Sequence, residues 1–305
     1  MSGLTVRFWG TRGSIPTPGR HSEKYGGNTT CLELRHGETR VILDAGSGIR
    51  QLGTAWAEEK DGPVRAHLLF THLHWDHIQG FPFFAPAYRP GNAFMIHGEA
   101  RPDGGIRDLL SSQMGGAYFP VPLTAMQADL TFADTTPQFE VEGIRVRTIH
   151  VPHPGGCLGY RLEAGDSTFV LATDSELDLA ALNQDALRAD HATPRQYDPA
   201  LLEFLSGVTM LVIDCQYTDA EYETKRGWGH NSVATVMDLC VQVRPDTVIL
   251  FHHDPERTDA QVAAMAGDVS ARLERAGVLE TLVLPARERL AMQVRKPIRP
   301  LPLPH

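Results

Sequence analysis

The chain has 305 residues, 42% hydrophobic and 21% charged, with a formal net charge of −9, a composition ordinary for a globular protein. The acidic balance argues against a broad nucleic-acid-binding face, because holding a phosphate backbone takes many Lys and Arg contacts. No apolar run approaches the roughly 20 residues of a membrane helix, and residues 1–7 lack the basic start and apolar core of a signal peptide, so a cytoplasmic protein with no membrane partner is expected.

In chain order, residues 4–9 predict a first strand, residues 10–28 a long Gly- and Pro-rich loop, and residues 31–35 with 39–43 a hairpin around His36-Gly37. A helix is expected over 49–60 and a buried strand over 64–71. Residues 87–137 hold many Gly and Pro and predict a cap or lid. Strands return at 144–149, 158–163 and 168–172, and residues 177–205 predict polar helix broken near Pro194 and Pro199. Strands at 210–214 and 247–251 then alternate with helices near 231–241 and 259–276. Residues 296–305 hold four prolines and predict an extended tail. Cys31, Cys157, Cys215 and Cys240 show no CxxC spacing, so neither a disulfide framework nor a Cys-rich zinc knuckle is indicated. No linker-like stretch separates the halves, which predicts one domain over 1–295, built of two sheets covered by helices.

The chemistry concentrates where the strand at 64–71 ends. His72, His74, Asp76 and His77 fall within six positions. Three imidazoles and a carboxylate are costly to desolvate together unless something satisfies them. His72 and His74 can face one way from such a turn while Asp76 and His77 face another, so two sets of ligands imply two metal ions. Further ligands should then stand at strand ends elsewhere. His153 follows the strand at 144–149, Asp174 the strand at 168–172, and His252 or its neighbour His253 the strand at 247–251. The two oxygens of Asp174 suit a bridge between two cations. An all-nitrogen and oxygen donor set is compatible with Zn²⁺, and Mn²⁺ or Fe²⁺ could occupy it as well.

These residues together resemble the metallo-β-lactamase superfamily, whose HxHxDH signature precedes a later His, an Asp and a last His. The likeness runs from Asp44-Ala45-Gly46-Ser47-Gly48 to Phe251-His252-His253-Asp254. It implies an α/β fold, an αββα sandwich of two mixed sheets flanked by helices. It also implies that His72, His74 and His153 hold one metal, that Asp76, His77 and His252 hold the other, and that Asp174 bridges them. His153 followed six residues on by Gly159-Tyr160-Arg161 resembles the phosphodiesterase branch that includes tRNase Z and the PhnP-like cyclic phosphodiesterases. Gly229-His230-Asn231-Ser232 is similar to that branch's Gly-His-Ser/Thr motif, which implies a catalytic histidine beside the metals at His230. The long basic Gly/Pro-rich arm with which bacterial tRNase Z holds tRNA has no counterpart here.

The resemblance therefore implies a dinuclear hydrolase cleaving small or cyclic nucleotide-type phosphodiesters through a metal-bridging hydroxide, with Asp76 orienting the water and His230 serving the leaving oxygen. Ser232 is expected to cap the helix that follows. A tRNA 3′-processing endonuclease, a hydrolase of a thioester or lactam, and a non-catalytic metal-binding sensor are the alternatives. Oligomeric state, a homodimer included, is open.

Overall fold

A computed structural model of the protein describes residues 3–59, 62–101 and 104–296. Fourteen strands are described: β1 (Leu4–Gly10), β2 (Cys31–His36), β3 (Thr39–Leu43), β4 (Arg65–Leu69), β5 (Ala93–Gly98), β6 (Asp129–Asp134), β7 (Gln138–Val141), β8 (Ile144–Val151), β9 (Cys157–Ala164), β10 (Ser167–Ala172), β11 (Met210–Asp214), β12 (Thr247–Phe251), β13 (Leu282–Pro285) and β14 (Ala291–Val294). The helices are α1 (Ile49–Glu58), α2 (Trp75–Ile78), α3 (Ile106–Gln113), α4 (Gln184–Ala189), α5 (Pro199–Leu205), α6 (Asp219–Lys225), α7 (Val233–Val243) and α8 (Asp259–Arg275).

The strands form two seven-stranded sheets, ordered β14-β1-β2-β3-β4-β5-β6 and β13-β12-β11-β10-β9-β8-β7. Each is mixed. In the first, β14 to β3 pair antiparallel and β3 to β6 parallel. In the second, β7 to β10 pair antiparallel and β10 to β13 parallel.

The two-residue period of a strand explains the layering. Along β10, Phe169 and Leu171 pack with Leu4, Phe8 and Leu43 of the first sheet. The residues between and beyond them, Val170 and Ala172, pack with Leu201 of α5, Leu239 of α7 and Val269 of α8. The next two strands repeat this division: Val212 and Ile249 face the other sheet, Leu211 and Val248 the helices. Trp9, Ile42 and Leu68 of the first sheet turn outward onto Leu52 of α1 and Leu110 of α3. The order of layers is helix, sheet, sheet, helix. Strands buried on both faces must be apolar throughout, which is why β11 and β12 are legible as continuous hydrophobic runs.

Several elements depart from the sequence expectation. Residues 87–137 are not only irregular: β5 and β6 extend the first sheet by two parallel strands, and α3 packs beneath them. β6 lies at the sheet edge with three of its six residues exposed, so it carries no continuous apolar run. Pro199 does not break a helix but starts α5 at its first turn, where a missing N–H costs nothing, while Asp198 accepts a hydrogen bond from Ala200 N at 2.8 Å. The short helix α6 carries a Thr218–Glu221 capping box that was legible in principle. The expected extended tail falls largely on residues 297–305 and the expected end of α1 on Lys60, all outside the described residues. The four cysteines are buried free thiols, and no described helix is long and apolar enough to cross a membrane.

Candidate metal centre

The parallel strands β3, β4, β10, β11 and β12 end at one edge of the sandwich, and each delivers a polar residue there: Asp44, His72, Asp174, Asp214 and His252. After β4 the chain extends through His74, which precedes the four-residue α2. That single turn directs Asp76 and His77 inward. Asp44, in the left-handed region at φ 62°, is pinned by two hydrogen bonds from Thr71, from its N–H and its hydroxyl, both at 2.8 Å. Its other contact is His77 Nδ1 at 2.8 Å, which leaves His77 Nε2 aimed into the site.

Two groups of candidate ligands result. His72, His74 and His153 form one, and Asp76, His77, Asp174 and His252 the other, with the donor atoms of each group lying within 4.8 Å of one another. Asp174 lies between the groups. Its Oδ2 is 3.6 Å from His72 Nε2, 3.8 Å from His153 Nε2 and 3.3 Å from His77 Nε2, while Oδ1 is 3.1 Å from His252 Nε2. His252, in the left-handed region at φ 54°, turns its ring to Asp76 Oδ2 at 2.9 Å. His253 turns the other way and places Nε2 3.0 Å from the Ala286 carbonyl. The choice between these neighbours, open in the sequence, is settled by backbone geometry in favour of His252 as the residue facing the cluster.

Donor chemistry fits divalent cations. His72 Nε2 and His77 Nε2 are buried without a hydrogen-bond partner, a cost that a native fold rarely carries without compensation. Both point at carboxylate oxygens they do not hydrogen-bond, as donors arranged around a cation do. Burial is the main cause that lowers His72, His74 and His153 below the usual histidine range, so they are neutral at pH 7, as ligation requires. Burial opposes a charge on His77 too, but Asp76, Asp174 and Asp44 outweigh it and push His77 up. Burial likewise opposes ionisation of Asp174, yet His252 and His77 hold it well below the carboxylate range. A field that favours a proton on a fully buried imidazole favours a metal cation in the same place.

The surroundings hold these candidate ligands in place. Ser14 N donates to Asp76 Oδ2 at 2.7 Å, and Gln216 Nε2 lies 3.2 Å from His252 Nδ1. A Cβ at Gly13 would come within 2.4 Å of His252 Cε1, and one at Gly229 within 2.1 Å of His153 Nδ1. Only glycine admits the loops this closely. The Gly229 carbonyl in turn accepts a hydrogen bond from His153 Nδ1 at 3.0 Å, which turns Nε2 toward His74 and Asp174, the way histidines that hold a metal are commonly oriented.

His230 stands beside both groups, its ring stacked on His252 at 5.0 Å between centroids. It also falls within reach of His153 and Asp174. Behind it the buried Asp214 places Oδ2 3.5 Å from His230 Nδ1 and is itself held by Asn231 N at 2.8 Å and Ser175 N at 3.0 Å. Burial opposes a charge on His230, but Asp214 and then Asp174 raise it above the ordinary histidine value. Ser232 caps α7 as expected, accepting from Thr235 N at 3.2 Å. Asp44 and Asp214 were not singled out from the sequence, although each obeys the rule that finds Asp174: a carboxylate at the end of a buried apolar run. Ser14 and Gln216 lie in loops that carry no such signal.

A β-lactamase superfamily domain matches residues 39–253, and the chain belongs to that superfamily. Ribonuclease Z of Natronomonas pharaonis is 28% identical over 169 residues, 52% of this chain and 47% of that protein, so the chain aligns with about half the length of this relative. Among solved structures, a diphosphatase of the PhnP family superposes with a TM-score of 0.64 at 14% identity, over 96% of this chain and 98% of that one. The short form of human tRNase Z superposes with a TM-score of 0.64 at 14% identity, over 95% and 99%. Both have the fold found here, and the expected αββα sandwich of two mixed sheets is borne out.

Proposed function

We propose that the protein is a dinuclear metal-dependent phosphodiesterase acting on small, nucleotide-type phosphodiesters, with Zn²⁺ as the metal. The observation that carries this reading is the division of seven donor residues into two groups that meet at Asp174. His72, His74 and His153 would hold one cation, Asp76, His77 and His252 the other, and Asp174 both. Two divalent cations so held lower the pKa of bound water and offset the charge of a phosphoryl group in an in-line displacement.

The chain's own residues supply the rest. Asp76, kept ionised by His77 and His252 against the opposition of burial, accepts a hydrogen bond from the attacking water and orients it. His230, backed by Asp214, donates a proton to the leaving oxygen as its bond to phosphorus breaks. The burial of Asp76, His77, Asp174 and His252 lowers the local dielectric and so strengthens these interactions.

Bis(p-nitrophenyl) phosphate tests this reading. It should be hydrolysed, the rate should fall to background after treatment with a strong chelator, and p-nitrophenyl phosphate should be a much poorer substrate. Comparable rates on monoester and diester would count against a phosphodiesterase. A second reading, tRNA 3′-end processing, is favoured by relatives named ribonuclease Z and disfavoured by the net charge of −9. Cleavage of a precursor tRNA at a rate competitive with the small diester would establish it instead.

A further inference from the structure

Trp9 and Trp56, two of the chain's four tryptophans, are buried, and both indole N–H groups donate to Glu33, at 2.9 and 2.8 Å. The other two, Trp75 and Trp228, are 62% and 61% exposed. Leaving a large indole in water forgoes one of the largest apolar contributions a side chain can make. Both exposed indoles belong to residues beside the candidate centre in the chain, Trp75 next to His74 and Trp228 next to Gly229.

His74 is the exposed member of the candidate ligand set, whereas Asp76, His77, Asp174 and His252 are all buried, so the centre opens to solvent on the His74 side. Trp75 directly follows His74. His74 Nδ1 is 3.0 Å from His153 Nε2, His153 Nδ1 bonds the Gly229 carbonyl, and Trp228 directly precedes Gly229. The two indoles are thus carried by residues flanking in the chain a pair of candidate ligands in contact, His74 and, through Gly229, His153. Lys225 Nζ lies 5.2 Å from the centroid of the Trp228 ring, a cation–π contact that fixes the ring from one side.

Resting on the phosphodiesterase reading, we infer that Trp75 and Trp228 are stacking platforms for a nucleobase of the substrate, and that this base contact, not the phosphate, sets substrate preference. Stacking tolerates any base because every base offers a π-face. It adds to binding without touching the reacting atoms, so it appears in KM and not in kcat.

The experiment compares two esters with a common leaving group, thymidine 5′-(p-nitrophenyl phosphate) and methyl p-nitrophenyl phosphate, on the metal-loaded full chain. The wild type should prefer the thymidine ester in kcat/KM. Trp75→Ala and Trp228→Ala should each cut that preference about 5- to 150-fold, the range of one base–aromatic stack, through KM. Trp75→Phe and Trp228→Phe should retain most of it. Wild-type cleavage of both esters without preference, or a preference untouched in the Trp228→Ala protein, would overturn the inference and leave the phosphodiesterase reading standing. An equal preference for a cyclohexylmethyl ester would make the rim a general apolar contact and overturn the nucleobase assignment. Cleavage of neither ester would instead sink the phosphodiesterase reading on which the inference rests.

Discussion

Asp174→Ala is expected to strip the centre of metal and turnover together. Asp174 contacts both ligand groups, at 3.6 Å from His72 Nε2 on one side and 3.1 Å from His252 Nε2 on the other. Its removal leaves one group with three imidazoles and no anion. The other keeps Asp76 alone as its carboxylate. Bound cations supply several kcal/mol of transition-state stabilisation in such sites, so a loss of about 10³-fold or more in kcat/KM should follow. Metal content and rate should be measured on the same preparation. An Asp174→Ala protein that keeps its metals and most of its activity would remove the bridge from the account. The fold should survive, because Phe169 and Leu171 of β10, which lie between the sheets, are untouched.

His230→Ala should separate chemistry from ligation. The imidazole lies close enough to His153 and Asp174 to be counted with them geometrically, yet its Nδ1 faces Asp214. A proton donor with that backing can be deleted without loss of metal. The variant should keep both ions and lose roughly 10²–10⁴-fold in rate, the usual scale of general acid–base catalysis. The loss should be smaller for a diester with a p-nitrophenolate leaving group, which needs little protonation, and larger for an alkoxide. Loss of a metal ion, or equal losses on both leaving groups, would make His230 a ligand or a structural residue instead.

Much of this site is legible in the sequence because of where it sits in the fold. The stretches Phe169–Ala172, two positions before Asp174, and Val248–Phe251, directly before His252, are apolar throughout, since β10 and β12 are packed between a second sheet and a helical layer. A titratable residue ending such a run is conspicuous. His153 is marked differently, by the Pro154-Gly155-Gly156 turn after it. What the sequence did not reveal depends on three-dimensional approach. His252 and His253 are neighbours of the same type, and only the left-handed φ of His252 sends one ring toward Asp76 and the other toward Ala286. Ser14 reaches Asp76 from 62 residues away through a backbone N–H, a group every residue but proline carries. In the fold, β6 was hidden because, at the sheet edge with three of its six residues exposed, it carries no continuous apolar run, whereas β5, interior to the sheet, alternates half-buried and buried residues within a stretch rich in Gly and Pro. Likewise β13 and β14 are four-residue strands, too short for alternation to rise above chance.

The proposal of two metal ions around Asp174 is tested most directly by elemental analysis of protein purified without added metal. Such protein should carry close to two transition-metal ions per chain, mostly zinc, lost together with turnover on exposure to a strong chelator. A metal content near zero, in protein whose turnover resists chelation, would contradict the proposal.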